Sequence, residues 1–163
     1  MESIGIVGAG TVGTALATRL SQKGYRISAV ASRTTESARR LARRVRTALV
    51  CSDAQGVANV SDLVFVTTPD GVIPTVVSSI KWRRGQSVLH CSGADSLDVL
   101  EPARNAGAQV GVFHPLQTFA SVDQAIVNLP GSTFALEADE PLLGRLRQMA
   151  TDLGGHWVAL KAG

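Results

Sequence analysis

The residues best suited to chemistry lie near the N-terminus, where residues 8–13 read Gly-Ala-Gly-Thr-Val-Gly. They follow an apolar run and open a helical pattern, which is the setting in which a G-x-G-x-x-G segment binds the pyrophosphate of a dinucleotide. Gly8 would permit the tight turn, Gly10 would let the backbone approach the phosphates, and Gly13 would let the helix pack closely on the strand. The predicted cofactor-binding residues of this segment are Gly8, Gly10, Thr11, Val12 and Gly13. The alternative is a turn that has only a structural role.

The residues at the end of the second apolar strand bear on which dinucleotide would bind. Sites that select an unphosphorylated ribose carry Asp or Glu about 20 residues after the glycines, whereas this chain has Ser32, Arg33 and Thr34. Hydroxyl and guanidinium groups donate hydrogen bonds to phosphate oxygens, and no carboxylate is present there to repel a 2′-phosphate. The pattern therefore favours NADP over NAD. An ordinary surface role for Arg33 is the alternative.

Polar residues also follow three later strands, at the edge where open α/β sheets bind their ligands. Thr68 and Pro69 follow the fourth predicted strand, and we expect them to border the cofactor. Residues 90–94 read His-Cys-Ser-Gly-Ala after the fifth strand, and residues 114–119 read His-Pro-Leu-Gln-Thr-Phe after the sixth. Side chains from neighbouring strand ends can converge on one substrate atom.

His114 and Ser92 are the predicted catalytic residues. A neutral imidazole at position 114 can accept the proton of a substrate hydroxyl as hydride leaves the same carbon, and can return it in the reverse direction. Ser92 would hydrogen-bond the same oxygen, and it is also a predicted cofactor-binding residue. His90 and Cys91 lie slightly inside the end of their strand, where a structural role is favoured over a direct one. For His114 the alternative is an ordinary core histidine.

The spacing of apolar residues predicts strands that alternate with helices along the whole chain. The predicted strands cover residues 3–7, 26–32, 48–50, 63–67, 87–90, 110–114, 132–136 and 157–160. The predicted helices cover residues 11–23, 35–46, 53–58, 72–80, 97–105 and 141–153. Continuous apolar strands of this kind indicate a sheet that is covered by helices on both faces. The expected fold is therefore α/β, a doubly wound and mainly parallel sheet in one domain of residues 1–163.

The composition excludes several classes of protein. With 163 residues, 45% hydrophobic and 18% charged, the chain is neither a disordered tail nor a charged linker. Its apolar runs, such as residues 63–66, are far shorter than the roughly 20 residues of a membrane span, and no secretory signal is visible. Cys51 and Cys91 form neither a metal-ligand spacing nor a disulfide framework. We therefore expect a reduced, cytoplasmic protein with no membrane partner and no metal site.

Much of the positive charge lies in residues 39–46, which contain five arginines. Apolar residues interrupt this run at helical spacing, which is typical of an amphipathic helix with a solvated basic face. Aromatic residues make up only 4% of the chain, and none lies in the run to stack on bases. The sequence therefore predicts no nucleic-acid partner, although the basic face can attract a phosphorylated cofactor.

Five segments together resemble a group of Rossmann-like oxidoreductases labelled deazaflavin-dependent NADP oxidoreductase-like. These segments are residues 8–13, 68–70, 90–94, 114–119 and 134–137. The layout is more distantly similar to that of prephenate dehydrogenases and pyrroline-carboxylate reductases. In prephenate dehydrogenases a Ser after the fifth strand and a His-Pro after the sixth flank the nicotinamide, so the resemblance implies Ser92 and His114 as the matching pair. The segments around them differ, so the substrate does not carry over.

Members of that group continue into a C-terminal helical domain, which completes the active site and forms the dimer. The resemblance therefore implies that residues 1–163 are the dinucleotide-binding domain alone, without the helical domain. An apolar patch near Pro115, Leu116, Phe119 and the last strand is then expected to be exposed. The implied partners are a small-molecule substrate and either a second copy of the chain or a separate helical protein.

Two functions from different classes follow from these features. The first is the NADP(H)-binding domain of an oxidoreductase that transfers hydride between NADP and a small substrate. The second is a non-catalytic module that binds or senses a dinucleotide and docks on a separate partner. Ser92 and His114 favour the first, because a sensor needs only phosphate and ribose contacts. Whether the chain is an enzyme by itself stays open at this point.

Overall fold

The computed structural model describes residues 2–46 and 48–160, which form one eight-stranded sheet flanked by helices. The strands are β1 (Ser3–Val7), β2 (Arg26–Ala31), β3 (Leu49–Val50), β4 (Leu63–Val66), β5 (Ser87–His90), β6 (Gln109–Pro115), β7 (Thr133–Ala138) and β8 (His156–Ala159). The helices are α1 (Thr11–Gln22), α2 (Thr35–Val45), α3 (Ala54–Asn59), α4 (Ile73–Ser79), α5 (Glu101–Asn105), α6 (Val122–Asn128) and α7 (Leu142–Asp152). None of these helices is long and apolar enough to cross a membrane.

The strand order places the glycine segment at the centre of the sheet. The order is β3-β2-β1-β4-β5-β6-β7-β8, and every neighbouring pair is parallel except β6 and β7. The predicted α/β fold with a mainly parallel sheet is therefore confirmed. The chain passes from β1 to β2 on one side and returns to β4 on the other, so the order reverses at β1. Ligands of open α/β sheets bind in the crevice at such a reversal, and residues 8–13 lie there.

Alternate residues of the central strands pack into two separate hydrophobic cores, one on each face of the sheet. On one face Ile4, Ile6 and Phe65 belong to the cluster formed with α1, α2, α6 and α7. On the other face Val64 and Val66 belong to the cluster formed with α3, α4 and α5. Because both faces are buried, these strands read as continuous apolar runs in the sequence. This double burial fixes the positions of the strand ends that carry the polar residues.

The sheet is not covered on both faces along its whole width. At the β8 edge, Val158 is 45% exposed and Leu160 is 50% exposed, and all four residues of β8 are exposed. The helix α7 covers only the opposite face, where Leu146 packs in the cluster with Phe134 and Leu136. The expectation of helices on both faces is therefore wrong at this edge.

The expected apolar patch is present in part. Leu116 is 53% exposed and lies beside the exposed strand β8. Pro115, however, is buried at the end of β6, and Phe119 is only partly exposed because it packs against the core. The exposed part of this expected patch therefore centres on Leu116, Val158 and Leu160. The last three residues of the chain lie outside the described residues.

Two segments differ from the sequence prediction. The helix α6 was not predicted, and its N-terminus is capped by the Ser121 side chain, which accepts a hydrogen bond from the Gln124 N–H at 3.1 Å. The segment 97–105 is not one helix but a 3-10 turn at Leu97–Leu100 followed by α5, whose first turn contains Pro102. A proline in the first helical turn is tolerated because its missing N–H would have had no partner there.

Candidate functional site

The glycine segment is held by a contact between the end of β1 and the end of β4. Gly8 has φ +108°, a left-handed conformation that favours glycine, and a Cβ there would lie 2.8 Å from the Thr67 carbonyl carbon. The Thr67 hydroxyl donates a hydrogen bond to the Gly8 carbonyl oxygen at 2.7 Å. A Cβ at Gly13 would lie 2.3 Å from that same carbonyl oxygen and 2.4 Å from Thr67 Oγ1. Both glycines are therefore required for α1 to pack directly behind the turn.

Gly10 differs from the other two glycines of the segment. A Cβ built on it meets no atom within 4 Å, so the space in front of the backbone is empty of protein. Gly10 is also the N-cap of α1, and no side chain caps this helix or places an acid in its first turn. The N-termini of α2, α3 and α6 are instead capped by Thr34, Asp53 and Ser121. The first N–H groups of α1 are thus left for an anionic ligand.

A cavity of about 250 Å³ opens beside this turn, at the ends of β1, β2 and β4. Its lining comprises Val7, Gly8, Ala31, Ser32, Arg33, Asp53, Ala54, Thr68, Pro69, Val72 and Val76. The walls are mainly apolar, which suits the face of a nucleotide base. The buried Thr68 Oγ1 atom has no hydrogen-bond partner within residues 2–46 and 48–160. Asp53 is engaged as the cap of α3, where it accepts from the Gly56 N–H at 2.8 Å.

The three residues predicted to select the nucleotide lie at different positions in this region. Ser32 ties the end of β2 to the glycine segment, because its Oγ accepts a hydrogen bond from the Ala9 N–H at 3.3 Å. Thr34 is the N-cap of α2 and donates its hydroxyl hydrogen to Ser37 Oγ at 2.8 Å. Arg33 is exposed, lines the cavity and forms no ion pair or hydrogen bond within residues 2–46 and 48–160. Arg33 is therefore the cation of the three that is available to a ligand.

The basic helix α2 contributes charge on the other side of the turn. Arg40 and Arg44 line a groove together with Gly10, Thr11 and Ser37. Arg44 also lies 3.6 Å from an Asp123 carboxylate oxygen at the start of α6. One face of α2 is thus directed toward the N-terminus of α1 and is not only a solvated surface.

His90 is a structural residue. The imidazole is fully buried, its Nδ1 accepts a hydrogen bond from the Ser92 N–H at 3.0 Å, and its Nε2 lies 3.1 Å from the Ser96 carbonyl oxygen. Because Nδ1 accepts, the proton is on Nε2, which donates to Ser96. Burial lowers the pKa of His90 below its usual value of 6.5, which keeps the ring neutral. The ring fixes residues 91–96 as a loop.

His114 has one ring nitrogen engaged and the other free. Its Nδ1 lies 2.8 Å from the Cys91 carbonyl oxygen, and since a carbonyl only accepts, Nδ1 carries the proton. Nε2 has no hydrogen-bond partner among the described residues, and it lies close to Gly93, where a Cβ would approach it to 2.5 Å. The arrangement is that of an oriented base and not of a core histidine satisfied on both sides.

Ser92 lies in the same cavity as His114. Its Oγ accepts hydrogen bonds from the Ala94 and Asp95 N–H groups, both at 3.1 Å, which fixes the side chain and leaves its own hydrogen free to donate. This cavity, of about 280 Å³, is lined by Ser92, Gly93, Asp95, Val112, His114, Leu116, Ala135, Glu137, Val158 and Leu160. Sequence reasoning did not identify Asp95, Glu137 or the role of Gly93. The one signal in the sequence was Gly93, because a glycine directly after a candidate catalytic serine indicates that another group lies close to the backbone there.

The thiol groups of the cysteines take no part in this geometry. Cys51 and Cys91 are both free thiols. Burial raises the pKa of each thiol, and at Cys51 the nearby Asp53 carboxylate raises it further. Thiols in the neutral form are poor nucleophiles, so the only assigned role of Cys91 is the backbone carbonyl that orients His114.

Comparison with known proteins agrees with the fold. The family model of Rossmann-like domains matches residues 1–115. No curated protein matches the chain. A Bacteroides fragilis protein described as an NADP oxidoreductase has a similar solved structure, with a TM-score of 0.82 and 30% identity over 98% of this chain and 61% of that one.

Two more distant structures share the fold alone. A reductive aminase from Aspergillus terreus, solved with NADPH and ethyl-5-oxohexanoate, has a TM-score of 0.79 and 18% identity over 98% of this chain and 55% of that one. The Synechocystis arogenate dehydrogenase has a TM-score of 0.79 and 19% identity over 98% of this chain and 59% of that one. The chain thus spans somewhat more than half the length of the solved structures that it matches.

The empty space at Gly10 generates the first prediction. Gly10→Val should abolish dinucleotide binding while the melting temperature stays close to that of the parent, because the added methyl groups would fill only the space meant for phosphate. Calorimetric titration with NADPH and a thermal melt measure the two effects. Gly144→Val in α7 is the matched control, since the nearest neighbour of a Cβ there is the flexible end of the Glu140 side chain. Unchanged affinity in Gly10→Val would show that the glycine segment is only structural.

The buried His90 generates a prediction about pH. The pKa of His90 is lower in the folded chain than the ordinary value of 6.5 that applies in the unfolded chain. Below about pH 6.5 the unfolded chain therefore binds more protons than the folded chain, so the free energy of unfolding falls as the pH drops. Urea unfolding from about pH 7 to pH 5.5 should show a shallower fall in His90→Asn than in the parent. The exposed His156 gives the control variant His156→Asn, which should keep the parent slope. A directly titrated His90 pKa at or above 6.5 would contradict the assignment.

Proposed function

We propose, from the premise that this chain belongs to the Rossmann-like domain family, that it is the NADP(H)-binding part of an oxidoreductase that transfers hydride between NADP and a small substrate. The observation that carries the proposal is the uncapped N-terminus of α1 at Gly10, where the backbone faces a space that a Cβ would fill. This end of the helix lies where the strand order reverses. A pyrophosphate is the ligand that such a site accepts best.

The residues of the chain fit the parts of NADP. The pyrophosphate would lie on the segment formed by Gly8, Gly10, Thr11, Val12 and Gly13. The adenosine would occupy the cavity bordered by Thr68 and Pro69, whose unpartnered Thr68 Oγ1 needs a hydrogen-bond partner. The 2′-phosphate would bind at Ser32, Arg33 and Thr34, where no carboxylate follows β2. The charges of Arg40 and Arg44 add to the positive potential around the phosphates.

The proposed chemistry rests on His114 and Ser92. NADP would supply or accept the hydride through its nicotinamide ring. The free Nε2 of His114 would take or return the proton of the substrate atom that gains or loses charge, and the Ser92 hydroxyl would donate a hydrogen bond to that atom. The Cys91 carbonyl orients the imidazole, as a fixed acceptor does for a catalytic base. This geometry favours an enzyme over a module that only senses a dinucleotide, which would need no oriented base.

The partners follow from the uncovered face of the sheet. We propose that a helical domain or a second copy of the chain covers Leu116, Val158 and Leu160, since apolar side chains at 45–53% exposure gain by burial. The covering element would also form the second wall of the substrate cavity. Free thiols at Cys51 and Cys91 agree with a reducing, cytoplasmic location.

The choice of NADP over NAD is testable at Arg33. Arg33→Ala should weaken NADPH binding by about 1.5–3 kcal/mol, the scale of a charge-assisted hydrogen bond, and leave NADH binding almost unchanged. Calorimetry with both cofactors measures the difference. Arg39→Ala, which removes an exposed arginine of α2 outside the cavity lining, should change neither affinity. Equal losses for both cofactors would assign Arg33 to the adenine, and tighter binding of NADH by the parent would refute the choice of NADP.

The role of His114 is testable by rate. In the assembly that shows turnover, His114→Ala should lower kcat by roughly 10²–10⁴-fold, the usual contribution of a general acid–base, with little change in cofactor affinity. Steady-state kinetics and NADPH titration separate the two effects. The exposed His156 again supplies a control, and His156→Ala should keep the parent rate. An unchanged rate in His114→Ala would leave His114 with a structural role only.

A further inference from the structure

We infer that His90 is a positioning residue for Ser92 and His114, and that it holds both side chains in place only while its own ring is uncharged. The loop of residues 91–96, which follows β5, carries this effect to the cavity. The inference rests on the proposed function where it concerns turnover, because it takes Ser92 and His114 as the reacting pair. The coupling itself belongs to the chain's own residues and can be measured without a cofactor.

The first step is the bonding of the two ring nitrogens of His90. The ring is fully buried, its Nδ1 accepts the Ser92 N–H at 3.0 Å, and its Nε2 donates to the Ser96 carbonyl oxygen at 3.1 Å. One ring therefore joins both ends of the loop. A protonated imidazole has two donors and no acceptor. Protonation would thus set Nδ1–H against the Ser92 N–H, and two donors that face each other at this distance must separate.

The loop is the part that must move. His90 is held in the middle of the sheet, where it pairs with Val66 of β4 on one side and with Val112 of β6 on the other. Ser92 is 5% exposed, and its N–H has no second acceptor within residues 2–46 and 48–160. The strand is fixed by its neighbours, whereas the loop is fixed by the ring. Loss of the ring acceptor therefore releases the loop and not the strand.

The loop holds the reacting pair at three points. The Cys91 carbonyl accepts a hydrogen bond from His114 Nδ1 at 2.8 Å. Two N–H groups of the loop hold Ser92 Oγ at 3.1 Å. Gly93 lies so close to the His114 ring that a Cβ on it would approach Nε2 to 2.5 Å. A shift of the loop therefore changes the orientation of Ser92 and His114 together.

The charges around His90 decide which form of the ring is present. Asp95 of the loop, Asp70 after β4 and Glu137 of β7 all favour the charged ring, and β6 contributes the titratable His114, which contacts the loop. Burial outweighs the carboxylates and lowers the pKa of His90 below its usual value of 6.5. The ring is neutral at pH 7 and gains a proton as the pH falls. The pair is therefore oriented above this pKa and released below it.

An NMR titration of the parent from pH 7.5 to pH 5 tests the coupling directly. The His90 and His114 rings are followed separately, together with the backbone amides of residues 92–96. We expect these amides to shift with the midpoint of the His90 ring, while the amides of residues 10–12 stay unchanged. Loop amides that do not respond at the His90 midpoint would overturn the inference.

Three variants assign the transition to one ring. His90→Asn should abolish it, because the amide oxygen still accepts a hydrogen bond near the position of Nδ1 but takes up no proton in this range. His114→Gln removes the other titratable ring of the cavity and should keep the transition. His156→Asn, at the exposed start of β8, should also keep it. A transition that persists in His90→Asn, or that is lost in His114→Gln, would overturn the inference.

Rate measurements distinguish positioning from a merely structural role. In the assembly that shows turnover, His90→Leu should lower kcat at pH 7.5 by up to about 10²-fold with little change in NADPH affinity, since a small misplacement of reacting groups has an effect of this size. His90→Asn should recover most of the rate and should lose part of the decline that the parent shows at acid pH.

Two kinetic results would contradict the positioning role. One is an equal kcat in the parent and in folded His90→Leu, and the other is an identical decline at acid pH in the parent and in His90→Asn. Where His90→Leu does not fold, the comparison of the parent with His90→Asn decides.

The same measurements separate this inference from the proposed function. If NADPH binds and His114→Ala lowers kcat, but the loop does not follow the His90 ring, the inference fails and the proposed function stands. If the loop follows the His90 ring and neither NADPH nor NADP binds, the coupling stands and the proposed function fails.

Discussion

The contact of Gly13 with the Gly8 carbonyl and Thr67 is the constraint on which the rest of the site depends. A Cβ at Gly13 would lie 2.3 Å from that carbonyl oxygen, so no other residue lets α1 start directly behind β1. The Thr67 hydroxyl joins the same carbonyl to the end of β4. Three elements thereby meet where the strand order reverses, and the N-terminus of α1 points into the crevice with its N–H groups uncapped. Displacement of this helix would remove the proposed phosphate site and one wall of the groove that Thr11 and Thr14 line.

A second network fixes the loop after β5 and the end of β6 without any side chain from the glycine segment. Buried His90 holds the loop at both ends through the Ser92 N–H and the Ser96 carbonyl. The loop in turn orients Ser92 by two backbone donors and orients His114 through the Cys91 carbonyl. A neutral buried imidazole serves here because it offers one acceptor and one donor at a fixed distance. His90 therefore positions the loop, while His114 and Ser92 face the cavity.

The sequence was sufficient for those features that depend on local pattern. The structure contains the predicted glycine turn after β1, the apolar strands and the longer helices in the predicted order. The strands were predictable because burial of both faces leaves a continuous apolar run in the sequence. The helix α6 was missed, since a seven-residue helix shows little periodicity and its cap is a single serine. The apolar pattern alone did not show the open face at β8, because an apolar strand reads the same whether its second face is covered or open. The exposed patch near the last strand was expected only from the resemblance to proteins with a further helical domain. Asp95 and Glu137 come from different elements, and only the register of β6 with β7 and the loop after β5 bring them into one cavity.

The groups around the glycine segment and those around His114 differ in charge, and this bears on which ligand each region can accept. The α1 N-terminus, Arg40 and Arg44 lie around the glycine segment, whereas Asp95 and Glu137 line the cavity that contains Ser92 and His114. Phosphate groups are stabilised by a helix N-terminus and by arginines, and they are repelled by carboxylates. A dinucleotide that bound this chain would therefore place its phosphates at the glycine segment and not in the cavity with His114.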